Sequence, residues 1–249
     1  YRAIVLWLLG HPDAAIADAH DALRDAREIG HAATLIYALS LTSFTHLLRG
    51  NYATANAQVG EAVALAEEKG ALFWKTTATV LGGCVSAATG NASDAVEVIS
   101  SAVTAFRSTG ATVWMPSYLS YLAIANAGLG RFKDAWRCID EAMAIVGTSK
   151  ETWFEAEINR VAGEIALRSP DRDPEKAETY FKRALAVAHM QQAKSLELRA
   201  AISMAGLLRD QDRHPAARTL LTPIYNSFGE GFDTVDLNDA RALLGELGQ

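Results

Sequence analysis

The chain has 249 residues, of which 50% are hydrophobic and 21% are charged, and its formal net charge is −6. This composition is ample for a folded core and excludes disorder of the chain as a whole. The acidic balance argues against a nucleic-acid surface, which would show a basic patch or stripe.

A short turn recurs along the chain at a fixed interval. It begins with glycine and has alanine five positions later, and successive turn glycines lie 40 residues apart. The turn glycines are Gly10, Gly50, Gly90 and Gly130, and a second set lies midway between them at Gly30, Gly70 and Gly110. A fixed period of this size is typical of stacked helical repeats. Glycine suits such turns because it adopts positive φ without steric cost.

Each unit divides at its turn into an apolar upstream helix, helix A, and a more charged downstream helix, helix B. The sequence predicts paired helices over residues 1–9, 12–29, 31–49, 52–69, 72–89, 92–109, 113–129, 132–146, 152–168, 174–190, 195–210 and 214–228. The corresponding repeats are about 1–30, 31–70, 71–110, 111–150, 151–192 and 193–229. A final amphipathic helix over 234–247, with Asp236 as its N-cap, is predicted to cap the end of the stack.

The turn alanines set a common register within helix B. In five of six repeats another alanine follows seven positions later, with a residue between them at the fourth position that is larger in every repeat but the first. This spacing places all three on one helical face, where small residues let helices approach closely. The structural landmarks are Ala15, Ala55, Ala95, Ala135, Ala177 and Ala217. The fifth turn differs, since it has Pro174 at a helix start with Asp173 as the expected cap.

Helix A of repeats two to four is almost uncharged, which predicts that it is buried or faces a partner. Residues 108–130 carry no charge and are long enough to span a bilayer. Pro116, Asn126 and the phase of the repeat favour a buried repeat helix instead, so we expect no membrane contact. Cys84 and Cys138 form no CxxC pair and predict reduced thiols in a cytoplasmic protein.

The turns that begin at Gly50 and Gly130 resemble those of the tetratricopeptide repeat. Each combines glycine with an aromatic residue, Tyr52 or Phe132, and with the alanine pair that follows. The resemblance implies an all-α, right-handed α-solenoid of about six helix-turn-helix repeats. The unit is 40 residues long where the family has about 34, the family's closing proline is absent, and its helix-A tryptophan is displaced.

A narrower resemblance covers the second half of the chain, in residues 153–164, 193–201 and 228–244. Together they resemble the C-terminal repeat region of bacterial signalling proteins that join a class III adenylate/guanylate cyclase domain, or a transcriptional-regulator domain, to an AAA/STAND-type ATPase. The resemblance implies that this chain is the sensor or interaction arm of such a protein. It also implies that catalysis lies in N-terminal domains outside this sequence, which opens inside a helix without an initiator methionine.

Motifs for catalysis are missing from the sequence. It has no phosphate loop of the GxxxxGK[ST] type and no HExxH motif, and its histidines are scattered. Glu157, Arg160 and Glu164 share one helix face, which predicts an intrahelical ion pair. Two alternative roles for these charges are a polar contact with a neighbouring repeat or a partner, and acid–base chemistry. We therefore expect no catalytic residue, no metal site and no cofactor.

Aromatic residues of helix A are the other candidate site. Trp74 and Trp114 occupy equivalent positions, and Trp153 comes one residue early. They are expected to wedge between repeats or, alternatively, to form a strip that anchors a partner. Tetratricopeptide analogy places helix A on the concave side. The candidate partner-binding residues are Tyr37, Phe44, Trp74, Trp114, Tyr118, Tyr121, Trp153, Glu157 and Arg160.

Three functions remain open from the sequence. The first is an interaction scaffold that binds a protein, a peptide, or the ATPase and cyclase domains of its own parent chain. The second is a small-molecule sensor with a pocket between the helix-A faces of repeats two to four. The third is self-association, with a homodimer as its simplest form.

Overall fold

A computed structural model describes residues 1–110 and 112–248 of the chain. Ala111, where the fourth repeat is predicted to begin, and Gln249 lie outside the described residues. Within the described part the secondary structure is helical without any strand, which confirms the predicted all-α class. The helices stack as a helical-repeat solenoid in which each helix packs against its neighbours in sequence.

Thirteen helices occur in the described part of the chain, and their bounds follow. They are α1 (Arg2–Leu8), α2 (Pro12–Ile29), α3 (Ala32–Arg49), α4 (Tyr52–Glu68), α5 (Leu72–Ala88), α6 (Ala92–Thr109), α7 (Met115–Gly128), α8 (Phe132–Ser149), α9 (Glu155–Arg168), α10 (Pro174–Met190), α11 (Lys194–Asp210), α12 (His214–Tyr225) and α13 (Val235–Glu246). Odd-numbered helices from α1 to α11 also pack on one another, so they form one layer. Helix α7 is buried along most of its length.

The turns follow from small residues at two positions. Gly10, Gly50, Gly90 and Gly130 all have positive φ, between 72° and 90°. The six turn alanines, from Ala15 to Ala217, are fully buried. A larger side chain at these alanines would have no space, so the glycine and alanine pattern controls how closely successive helices approach.

Several predicted helix ends differ from the structure, by one to three residues. Helix α7 begins at Met115 rather than 113, because Trp114 adopts a left-handed conformation with φ 67°. Helix α9 begins at Glu155 rather than 152, and α12 ends at Tyr225 rather than 228. Helix α8, in contrast, runs to Ser149 rather than 146. These ends lie next to turns, where backbone conformation depends on contacts that a periodic pattern does not encode.

Of the two predicted N-caps, the one for α10 is confirmed and the one for α13 is not. Asp173 accepts a hydrogen bond from the Lys176 amide at 2.9 Å, which confirms it as the N-cap of α10. The prediction for α13 is wrong, since Thr234 accepts from the Leu237 amide at 3.4 Å. Asp236 lies inside the first turn of α13 and pairs with another helix, so its carboxylate is not free to cap.

The two ends of the solenoid come together. Helix α1 contacts α11, and Ser195 Oγ donates a hydrogen bond to the Trp7 carbonyl oxygen at 2.5 Å. The loop after α12 meets the start of α2, where Glu230 Oε1 accepts from the amides of Asp13 and Ala14 at 3.0 and 3.1 Å. A carboxylate at a helix N-terminus is stabilised by the helix dipole. We call this set of contacts the closure.

A basic residue strengthens the closure. Arg49, at the end of α3, lies 2.8 Å from an Asp13 carboxylate oxygen and 2.9 Å from an Asp233 oxygen. The Asp13 carboxylate in turn accepts from the Gly231 amide at 3.0 Å. One guanidinium therefore links α2 to the loop before α13.

Candidate functional site

An aromatic chamber opens among α3, α5 and α7, near the N-terminal ends of α5 and α7. Its volume is about 260 Å³. Eight of its thirteen lining residues are aromatic. The lining consists of Tyr1, Tyr37, Ser40, Leu41, Phe44, Phe73, Trp74, Thr77, Leu81, Phe106, Val113, Trp114 and Tyr118.

Most ring pairs of the chamber pack edge to face, while Tyr1 stacks on Trp114 and Phe106 stacks on Tyr118. Tyr37 and Trp74 have centroids 5.5 Å apart at an interplanar angle of 73°. Phe44 and Trp114 repeat this geometry at 5.5 Å and 74°. Such pairs are the preferred arrangement for aromatic rings and hold the walls in place. One chamber is therefore lined by five of the nine candidate residues: Tyr37, Phe44, Trp74, Trp114 and Tyr118.

No described residue that lines the chamber has a charged side chain. The hydroxyl of Ser40 donates to the Ile36 carbonyl at 2.8 Å, and that of Thr77 donates to the Phe73 carbonyl at 3.0 Å. Both hydroxyl protons are thus used within their own helices. Partial burial, together with a hydrogen bond to Tyr1, raises the pKa of Tyr37 to about 12, so that the phenol is neutral near pH 7.

A vestibule adjoins the chamber and shares Tyr1, Val113 and Trp114 with it. Its volume is about 340 Å³, and Glu151 is the charged residue in its described lining. Glu151 Oε1 accepts from the Trp114 amide at 2.9 Å and from Trp153 Nε1 at 3.1 Å. The carboxylate therefore fixes the strained backbone of Trp114 and places Trp153 beside the chamber. The ring centroids of Trp114 and Trp153 lie 5.0 Å apart.

A buried charge cluster joins α9, α11 and α13. Arg160 Nη2 lies 2.7 Å from Glu157 Oε1, which confirms the intrahelical ion pair, and Arg160 Nη1 lies 3.6 Å from Glu164. Arg199 extends the cluster, since it lies 2.9 Å from Asp236 Oδ2 and 3.8 Å from Glu157. The sequence missed the last two contacts, because they join residues far apart in the chain.

The cluster determines how its carboxyl groups ionise. Burial opposes ionisation of Glu157, but the charges of Arg160 and Arg199 outweigh it and hold the pKa of Glu157 below its ordinary value. Burial raises the pKa of Asp236 above its ordinary value, and Arg199 offsets only part of that effect. Glu157 is therefore a fixed anion in the fold.

A charged chamber of about 680 Å³ contains this cluster in its wall. Tyr121, Glu157 and Arg160 line it, which separates these three candidate residues from the aromatic chamber. Tyr118 and Tyr121 lie three residues apart on α7, about 4.5 Å along the helix axis. Six carboxylate and three guanidinium side chains face the charged chamber: Glu157, Glu164, Asp210, Asp236, Asp239, Glu246, Arg160, Arg199 and Arg209.

The three stretches that carry the narrower resemblance meet at the charge cluster. Residues 153–164 contribute Glu157, residues 193–201 contribute Arg199, and residues 228–244 contribute Asp236. Charged residues on otherwise apolar helix faces were the available signal in the sequence. They did not reveal that the three stretches share one contact.

Neither cysteine lines the aromatic chamber or the charged chamber. Cys84 and Cys138 are free thiols and are buried. Burial raises the pKa of Cys84 above its ordinary value and that of Cys138 to about 11. Thiols with raised pKa react slowly as nucleophiles, so a structural role fits them best.

No family model and no curated protein match this sequence. The described helices include none that is long and apolar enough to cross a membrane. Solved structures do match. The apo form of RapI is similar with a TM-score of 0.68 and 12% identity, over 98% of this chain and 82% of that one. BtubC (BKLC) from P. vanneervenii is similar with a TM-score of 0.57 and 15% identity, over 95% and 92% of the two chains.

These likenesses define the fold class. The chain is an all-α helical-repeat solenoid, and the match extends over nearly its whole described length. This is consistent with the tetratricopeptide-like interpretation of the glycine turns. At 12% and 15% identity the likeness concerns the fold alone, and function must be argued from the chambers.

Proposed function

We propose that this chain is a non-catalytic interaction module that holds a protein segment or peptide at its aromatic chamber. The observation that carries the proposal is the chamber itself. Its walls are braced by paired rings, and its volume of about 260 Å³ is below the range of about 300–1,000 Å³ typical of drug-sized ligand pockets. A space of this size suits one large apolar side chain, as binding hot spots do.

Exposed apolar residues around the chamber support this proposal. Leu72 is 75% exposed, Phe73 is 52% exposed and Val113 is 65% exposed. Phe73 and Val113 line the chamber, and Leu72 precedes Phe73 in the chain. Contiguous exposed apolar surface with polar surroundings marks protein-interaction sites.

The charged chamber supports a second contact for the same partner. Its described lining has six carboxylates against three arginines, so it favours a basic group over an acidic one. We therefore expect the bound segment to combine a large apolar residue with a lysine or arginine.

A peptide-display selection against the purified chain tests this function. We expect enriched peptides to share a large apolar residue and to lose affinity by at least about tenfold when Trp114 is replaced by alanine. Trp136→Ala is the matched control, because Trp136 packs on Tyr180 of α10 with Lys176 over its ring, away from the chamber. Peptides that bind both variants equally, or no enrichment at all, would reject the proposal.

The chain is also proposed to be the sensor or interaction arm of a bacterial cyclase or ATPase regulator. Support comes from residues 153–164, 193–201 and 228–244, which resemble the C-terminal repeat region of such proteins. These three stretches meet at Glu157, Arg199 and Asp236. The test deletes residues 1–249 from the longer protein and measures its cyclase and ATPase activities. Activities and regulation that stay unchanged would remove this part of the proposal.

A small-molecule sensor is the second candidate function. It is favoured by the position of the aromatic chamber, which lies between the helix-A faces of α3, α5 and α7 where the sequence analysis places a pocket. A thermal-shift screen of metabolites tests it. A stabilising compound whose effect disappears in Trp74→Ala and persists in Trp136→Ala would favour this candidate.

A further inference from the structure

We propose that the aromatic chamber and its vestibule bind a methylated quaternary ammonium group. This proposal rests on the chamber being a binding site. It adds a second class of occupant to the large apolar side chain, namely a cation whose outer surface is apolar. Three features of the lining lead to it: the aromatic rings, the lack of basic side chains among the described lining residues, and one carboxylate.

The first feature is the concentration of aromatic rings. Trp74 and Trp114 line the chamber with Tyr37, Tyr118 and four further rings. The face of an aromatic ring attracts a cation within about 6 Å of its centroid, and tryptophan does so most strongly. A cation inside a space of about 260 Å³ is within this range of several rings at once.

The second feature is the polarity of the remaining lining. Neither lysine, arginine nor histidine occurs among the described residues of the chamber or the vestibule. The hydroxyl protons of Ser40 and Thr77 already bond to backbone carbonyls. An anion would find no basic side chain here to compensate its charge when it leaves water.

The third feature is the carboxylate at Glu151. Its Oε1 accepts from the Trp114 amide and the Trp153 indole, so the group is held against two of the rings. A carboxylate fixed at this position supplies the counter-charge for a bound cation and adds to the negative potential of the ring faces.

The preference for a methylated group follows from hydrogen bonding. A primary ammonium has three donors that need partners when it leaves water. The chamber presents mostly carbon surface and cannot supply them. A trimethylated ammonium has no donor, and its charge is spread over apolar methyl groups, so its burial among rings costs less. This chemistry occurs in choline-like small molecules and in trimethylated lysine side chains.

Titration calorimetry with four probes tests the proposal. The probes are choline, its neutral isostere 3,3-dimethyl-1-butanol, a peptide with trimethyllysine, and the same peptide with unmodified lysine. We expect a trimethylammonium probe to bind at least about tenfold more tightly than its uncharged or unmethylated counterpart. Choline and the trimethyllysine peptide distinguish the two sources of the group.

Two variants assign the binding to the proposed residues. Glu151→Gln keeps the oxygen that accepts from Trp114 and Trp153 but removes the charge, so we expect weaker trimethylammonium binding without loss of the fold. Trp74→Leu removes one ring and should weaken binding further, while Trp136→Leu should not. Thermal unfolding of each variant shows that it is folded.

Two results would overturn the proposal. One is equal affinity for choline and 3,3-dimethyl-1-butanol, which would make the chamber a neutral apolar pocket. The other is no detectable binding of either trimethylammonium probe to the folded protein. Neither result would affect peptides obtained by display, so a failure here is distinguishable from a failure of the interaction function.

Discussion

Arg199 Nη2 donates a hydrogen bond of 2.6 Å to the carbonyl oxygen of Leu48, which lies 151 residues earlier in the chain. The same guanidinium lies 4.9 Å from the centroid of the Trp7 ring and pairs with Asp236. One side chain of α11 therefore contacts α1, α3 and α13, and it connects the charge cluster to the closure of the solenoid.

Replacement of Arg199 by methionine should destabilise the protein strongly. Asp236 and Glu157 would remain largely buried without a partner on α11, and breaking a buried ion pair in this way costs about 3–5 kcal/mol. Urea unfolding measures the loss. Arg172→Met is the control, because Arg172 is 55% exposed and pairs only with Asp210, and we expect a change below about 1 kcal/mol. Similar losses for both variants would contradict the role of Arg199.

A pair of glycine variants tests the packing between helices A and B of repeat five. A Cβ at Gly163 would lie 2.3 Å from Phe181 Cε1, whereas a Cβ at Gly147 would meet nothing within 4 Å. Gly163→Ala should therefore cost about 1–3 kcal/mol through overpacking. Gly147→Ala should stabilise helix α8 by about 0.5–1 kcal/mol. A Gly163→Ala protein with an unchanged unfolding midpoint would contradict the close approach of α9 and α10.

A second glycine pair tests the closure. Gly231 has φ 76°, and a Cβ there would lie 2.1 Å from Pro12 Cγ. Gly231→Ala should separate the loop from α2 and speed hydrogen exchange of the Asp13 and Ala14 amides, which bond to Glu230. Gly30→Ala is the control, since Gly30 also has positive φ but no atom within 4 Å of the added carbon. Exchange that is equally fast in both variants would argue against the closure.

Stability should decrease in mild acid because of His46. Burial, together with the charges of His20 and Arg49, lowers the pKa of His46 from 6.5 to about 4, and its Nε2 is buried without a partner among the described residues. Between pH 6.5 and pH 4, the unfolded chain therefore binds more protons than the folded chain does. The free energy of unfolding falls as the pH decreases through this range.

Thermal unfolding from pH 4 to pH 7 measures this effect. We expect a shallower pH dependence in His46→Gln than in the unmodified protein. His214→Gln should retain the original dependence, because His214 is exposed. An unchanged profile in His46→Gln would assign the acid sensitivity to other groups.

The period in the sequence predicted the helices well because it reflects local requirements. Glycine with positive φ and a buried alanine five positions later are needed wherever one helix turns back on another. The closure could not be predicted in this way. It depends on a small rotation per repeat that accumulates along the chain, so the contact between Asp13 and Gly231 has no local signal.

The candidate site was predicted in part. Tyr37, Trp74 and Trp114 were chosen as helix-A aromatics, and they do line one chamber. Tyr118 and Tyr121 belonged to one set of candidate residues, but the structure divides them between two chambers. Glu151 was not considered, because its contacts with Trp114 and Trp153 depend on the left-handed conformation of Trp114.

Photo-crosslinking tests most directly whether the aromatic chamber is the binding site. A display-selected peptide would carry a photoreactive group on its large apolar residue, and mass spectrometry would map the crosslinks. We expect crosslinks to residues of α3, α5 and α7 that line the chamber, such as Phe44, Trp74 and Tyr118. Crosslinks confined to helices that do not line the chamber, such as α4 and α8, would contradict binding at the chamber.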